Sequence, residues 1–185
     1  MTLQSPEQNT SSATYFDKLI TLAPPFAYFA DCDLSAVLRI FDERVLAIDD
    51  TALRFVRGEQ CLSPGELHQQ WGNAWQFPDH LSHLWDAFAS AITDMKWFHA
   101  RNYLTVITQS HRLYEDASTR DLAALGVHLE TAATYWADPP LKPPTWHPYP
   151  ISFHVVFQCE PKYATKTRAR LQSAGIVAPD LFTER

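Results

Sequence analysis

Three short runs of apolar and β-branched residues, separated by segments with helical marks, constrain this chain more than any other feature. Residues 53–57, 103–108 and 151–158 read as strands. The intervals between them carry helix signals. Ser63 can cap a helix, Pro64 falls at its first position, and Glu66 stands where a capping box needs it. Leu62 and Leu67 are spaced for a hydrophobic staple, and Leu67, Trp71, Ala74 and Trp75 then follow helical spacing. Pro78 interrupts the chain, and a second helix is expected after it, with Leu81, Leu84, Trp85, Phe88, Ile92 and Met95 as its core stripe. Ser118 and Asp121 open a third helix, whose buried face would be Leu122, Leu125, Leu129, Ala132 and Trp136. Six prolines in 138–150 exclude helix and strand there. A terminal helix is expected over 161–174, basic through Lys162, Lys166, Arg168 and Arg170. Apolar strands alternating with helices predict an α/β fold with a small three-stranded parallel sheet flanked by helices.

The remaining segments divide the chain. Residues 1–14 read as a disordered lead, 15–52 as an N-terminal extension packed on the core, 53–160 as the α/β domain, and 161–185 as a C-terminal helix and tail. Within the extension, 36–41 reads as a short helix and 44–48 as a strand. The full 185 residues suit one domain, and 46% hydrophobic residues are enough for a sizeable core. The first 14 residues lack the features of a signal peptide, and no run approaches 18 apolar residues, so neither export nor a membrane partner is expected. Three cysteines (Cys32, Cys61, Cys159) are too scattered for a disulfide framework or a zinc site, which suits reduced thiols in the cytoplasm.

Charge points toward a kind of partner. The net charge is -6, and residues 59–138 carry ten acids against four basic residues. Between 58 and 95 there are five acids and no lysine or arginine. That is the reverse of a nucleic-acid footprint, so a nucleic-acid partner is not expected. On the second expected helix, Asp79, His83, Asp86, Ser90 and Asp94 recur at spacings of 4, 3, 4 and 4, which places them in one line opposite the core stripe. Two readings stay open from pattern alone: a solvated face, or a recognition face for a cationic groove. Trp85 borders both the core stripe and this line, as an interface anchor would.

Catalytic readings are weaker. His80, His83 and Asp86 have the ligand types for a metal trio and keep a metal-assisted enzyme as an alternative. Asp86 and Asp94 lie two helical turns apart on an expected exposed face, where burial would not separate their acidities for general acid–base work. The five glycines are isolated, so no phosphate-cradling loop exists, and no nucleophile elbow is present. No cofactor is implied.

The run Phe55-Val-Arg-Gly-Glu-Gln-Cys-Leu-Ser-Pro-Gly-Glu-Leu-His-Gln-Gln, followed by Phe77-Pro-Asp-His-Leu-Ser-His-Leu-Trp-Asp-Ala-Phe, resembles the barstar family of intracellular inhibitors of barnase-like ribonucleases. The likeness covers roughly residues 53–158 in the family's order of elements. It implies an immunity-type inhibitor that occludes the active site of a basic protein toxin with acids and aromatics on the second helix and the loop before it. It implies Asp86 as the aspartate of a W-D-A segment, Trp85 as the large apolar residue before it, and His80 where the family often inserts a tyrosine. Glu130 would match an acid of the later helix. With Asp79, His83, Ser90 and Asp94 these make up the expected partner-binding set. Three positions depart from the pattern: Ser90 replaces a second aspartate, Ser82 a glycine and Leu84 an asparagine. A barstar-like module that binds a different basic protein is the nearest alternative.

Overall fold

The computed structural model describes residues 15–45, 48–78, 84–115, 117–139 and 149–182. Among the described residues the main elements follow in the order β1 (Ala27–Asp31), α1 (Leu34–Arg44), β2 (Thr51–Arg57), α2 (Pro64–Trp75), α3 (Trp85–Asp94), β3 (Asn102–Thr108), α4 (Thr119–Ala137), β4 (Ser152–Cys159) and α5 (Pro161–Ser173). Both expected capping boxes are present. The Ser63 hydroxyl accepts from the Glu66 amide while the Glu66 carboxylate accepts from the Ser63 amide at 2.8 Å. Ser118 and Asp121 make the same reciprocal pair at the start of α4. These devices serve amides that no helical carbonyl can reach, which is why so local a motif is reliable.

The sheet is entirely parallel, in the order β1-β4-β3-β2. It therefore has four strands and not the expected three. The additional strand is β1, which pairs Ala27 with Val155 and Asp31 with Cys159 along one side of β4. The expected strand at 44–48 is corrected at Arg44, Val45 and Ile48, none of which is in a strand, while residues 46 and 47 lie outside the described residues. Arg44 ends α1 and Val45 keeps helical angles (φ -78, ψ -39). The deciding pattern is Val37, Phe41 and Val45, all at most 1% exposed, at i, i+4 and i+8. Burial of that stripe outweighs the β preference of Val45.

Alternation along the strands produces two cores. On one face Tyr103, Ile107, Phe153, Val155 and Phe157 meet α2, α3, α4 and α5. On the other, Leu53, Leu104, Val106 and Val156 meet Phe16, Leu19, the inner face of α1 and Leu181. The handedness of parallel crossovers explains this division. From β2 to β3 to β4 the chain steps across the sheet in one direction, and from β1 to β2 it steps back. Right-handed connections that run in opposite directions lie on opposite faces. α1 is thus placed against the second face, beside the segment of Phe16 and Leu19. After α5 the chain reaches the outer side of β1, where the Phe29 amide donates to Pro179 O (2.9 Å) and the Leu181 amide to Phe29 O (2.8 Å).

Two of the buried tryptophans are hydrogen-bonded across elements. Trp75 Nε1 donates to Thr105 Oγ1 at 3.0 Å and Trp136 Nε1 to Ile92 O at 2.8 Å. The Arg170 guanidinium of α5 donates to the carbonyls of His111, Leu113 and Tyr114, tying the terminal helix to the β3–α4 loop. The cysteines are free thiols, and burial pushes Cys61 up to about 12 and Cys32 to about 11. Neither is a thiolate near neutral pH. Among the described residues no helix is long and apolar enough to cross a membrane.

Gly58, which closes β2, shows why this turn has no side chain. A Cβ there would lie 2.5 Å from Thr108 O and 2.9 Å from Gln109 O, both backbone atoms at the end of β3. A flexible side chain could yield, but a strand end paired on both sides resists movement. Gly58→Ala is expected to cost roughly 3 kcal/mol, at the upper end for overpacking. Urea denaturation checks this, and a loss below about 0.5 kcal/mol would show that the strand end moves freely.

Candidate functional site

The site grows from the start of α3. Pro78 is followed by residues 79–83, which lie outside the described residues, so the expectations for Asp79, His80 and His83 have no structural counterpart here. The helix begins later than the spacing predicts. Leu84 is its N-cap, extended at φ -89, ψ 152, and Trp85 is its first residue. Leu84 accordingly leaves the core stripe and is 67% exposed. A residue with extended angles at a helix entrance is not bound by the helical periodicity that follows it. Phe88, Ala91 and Ile92 do form the buried face, and Met95 closes the helix in the left-handed region (φ 41).

Asp86, Ser90 and Asp94 lie at i, i+4 and i+8, on one line as expected. Their chemistry differs. Asp86 is exposed in the first turn, where the helix dipole favours negative charge. The Ser90 hydroxyl donates to Asp86 O at 2.9 Å, so it is bonded back to its own helix. Asp94 pairs with Lys96 at 3.2 Å, both well exposed. The helix itself carries no basic residue, but the turn after it supplies one. Among the described residues of this line, the charge that remains without such a partner is therefore at Asp86.

Trp85 is held by three rings. His128 of α4 lies flat against it (5.0 Å between centroids, 17°), while His68 of α2 (4.7 Å, 81°) and Phe88 (5.8 Å, 86°) meet it edge-on. His68 in turn stacks on Phe88 at 4.8 Å. Burial lowers the His128 pKa below the usual histidine value, and the Asp86 carboxylate opposes that shift. Burial is the larger influence, so a neutral imidazole meets the indole at neutral pH. The residue next to His128, Val127, is 62% exposed. The surface around Asp86 is thus an indole in a fixed rotamer beside a carboxylate, with Leu84 and Val127 exposed next to the stacked pair.

His128, His68 and Val127 were not among the expected site residues. His128 directly precedes Leu129 of the core stripe, so the signal was a polar ring at the edge of an apolar stripe. Glu130 is exposed on α4, but two helical positions beyond His128 it is turned by roughly 200° from the Trp85 side. It stands at a cavity against Pro24, Pro25 and Ile176, and the structure does not gather it with Asp86. Among the described residues no three His, Cys, Asp or Glu side chains are grouped as metal ligands.

No curated protein sequence matches this chain. Residues 51–158, more than half of the chain, match the family model described as Barstar (barnase inhibitor). The match starts on the first residue of β2 and ends within β4, so it contains α2, α3 and α4 and leaves β1, α1 and α5 outside. This chain belongs to the barstar family.

Proposed function

We propose that the chain is an immunity-type inhibitor that binds a basic protein toxin, a ribonuclease foremost, and blocks its active site without turnover in the cytoplasm of the producing cell. One observation carries this reading: the exposed Asp86 carboxylate stands beside a tryptophan already locked by His128, His68 and Phe88. A prelocked aromatic loses little rotamer freedom on binding, and a carboxylate beside it fits an arginine or lysine that would otherwise hold RNA phosphate. The exposed Leu84 and Val127 supply apolar contact next to this pair. Asp79, His80 and His83 precede this face in the chain and extend the proposed contact set. Ser90 and Asp94 belong to its margin, since one is bonded inward and the other is paired with Lys96.

Asp86→Ala combined with Trp85→Ala is expected to weaken toxin binding by roughly 100-fold or more, as for paired interface hot spots in general. Protection of toxin-expressing cells should fail with it. Association by the wild type should slow steeply as salt rises. Unchanged binding and protection by the double variant would remove α3 from the interface.

Ser90 supports a second reading. A hydroxyl that donates to its own helix offers a partner no second charge where the family pattern has an aspartate. The same face would then serve a basic protein other than a barnase-like ribonuclease. Affinity capture from the native host, repeated with the double variant, separates the two by the identity of the protein lost.

A further inference from the structure

Glu130 and the cavity beside it are unexplained by the α3 face. The cavity measures about 290 Å³ and lies where the family-matched part of the chain meets the segments outside it. α4 provides one wall with Leu129 and Glu130, the segment before β1 provides Pro24, Pro25 and Phe26, and the turn after α5 provides Ile176. Gly126 allows the walls to approach: a Cβ there would fall 2.6 Å from Ile176 Cγ1.

Much of the polar lining accepts hydrogen bonds. Pro24 and Pro25 carry no N–H, so they present only carbonyl acceptors. The Val155 amide donates to Phe26 O, the Gly175 amide to Gln172 O, and the Ile176 amide to Leu171 O, each at 3.0 Å. Those donors are satisfied within the protein. No lysine or arginine lines the cavity among the described residues, and its single charged side chain is Glu130. The volume equals about ten water molecules of liquid, room for one ring with a short tail. A mostly apolar pocket with few convergent polar groups is the usual form of a small-molecule site.

We infer that this cavity is a second binding site, for a small apolar amine whose ammonium group meets Glu130 and whose hydrocarbon body lies against Phe26, Leu129 and Ile176. An ammonium supplies three donors to a lining that offers acceptors and one negative charge. An anion of the same shape would meet the carboxylate directly. The site is independent of the α3 face, so Glu130 serves the cavity and not the toxin interface.

The test is amide NMR of the full chain titrated with phenethylamine, with phenylacetate and 2-phenylethanol as isosteric comparisons. Phenethylamine is expected to shift the Gly126, Gly175 and Ile176 amides and to saturate at millimolar concentration or below. Phenylacetate should leave them in place, and the neutral alcohol should bind at least roughly fivefold more weakly than the amine, in line with loss of a charge-assisted contact. Glu130→Gln, an exposed change, should erase the preference of amine over alcohol. Val177→Trp, at the 78% exposed mouth, should block both the amine and the alcohol. Asp86→Ala with Trp85→Ala should leave amine binding intact, which separates failure of this site from failure of the inhibitor reading. Absence of shifts at those amides up to 20 mM (roughly twentyfold above millimolar affinity) would overturn the assignment. So would an unchanged amine preference in Glu130→Gln.

Discussion

A fragment of residues 51–158 is expected not to fold, although it spans the whole family match. The reason lies on the second face of the sheet. Leu53, Leu104, Val106 and Val156 are each at most 8% exposed there, and the residues that cover them come from outside the match: Phe16, Leu19, Val37, Phe41, Val45 and Leu181. Uncovering four such side chains costs about 2 kcal/mol apiece, or roughly 8 kcal/mol together, a large share of the 5–15 kcal/mol that holds a domain folded. The fragment also loses β1, which leaves the outer backbone groups of β4 without their ladder. Sedimentation and near-ultraviolet circular dichroism of the fragment should show aggregation or absence of fixed aromatic packing. A monomeric fragment with a cooperative melt close to that of the full chain would refute the claim that the N-terminal segments form a necessary layer.

Acid is expected to weaken the full chain through one imidazole. His154 lies at the centre of the sheet on that same face, 0% exposed, between Tyr28 and Phe26 (both 6.0 Å between centroids). Its Nε2 approaches Thr21 Oγ1 at 3.5 Å, and Nδ1 is buried without a partner among the described residues. Burial lowers its pKa from 6.5 to about 4. Because the folded value lies below the unfolded one, the contribution is complete above pH 6.5. It is lost as pH falls toward 4, where the unfolded chain binds a proton that the folded chain refuses. That interval corresponds to about 3 kcal/mol. His154→Phe keeps a ring of similar size among aromatic neighbours, and the Thr21 hydroxyl retains its contacts with the carbonyls of Lys18 and Ala23. Urea stability measured from pH 7.5 to 4 should therefore fall more steeply for the wild type than for the variant. Parallel curves would show that His154 is not what makes the protein acid-labile.

What was legible in the sequence was what short-range chemistry decides. Ser63 with Glu66 and Ser118 with Asp121 close rings of four residues, so nothing distant can contradict them. The stripe Leu122, Leu125, Leu129, Ala132 and Trp136 is buried throughout, because a helix of 19 residues imposes its own period. β1 was hidden for the opposite reason. It has five residues, follows two prolines, and is a strand only because β4 offers it a free edge. The 44–48 run misled because β preference is a property of neighbours, and here the neighbours form a helix. At the site, the line through Asp86, Ser90 and Asp94 followed from spacing alone. The ring assembly around Trp85 did not, since it joins residues 68, 85 and 128 from three helices.

The bridge between Phe29 and Asp180 bears on synthesis. Phe29 lies in an outer strand of the sheet, and the segment that flanks that strand is translated only about 150 residues after it. Until residue 181 leaves the ribosome, Leu181 cannot enter the second core and the outer side of β1 stays uncovered. The nascent sheet therefore stays incompletely closed throughout the synthesis of the roughly 150 residues between the two partners of this bridge.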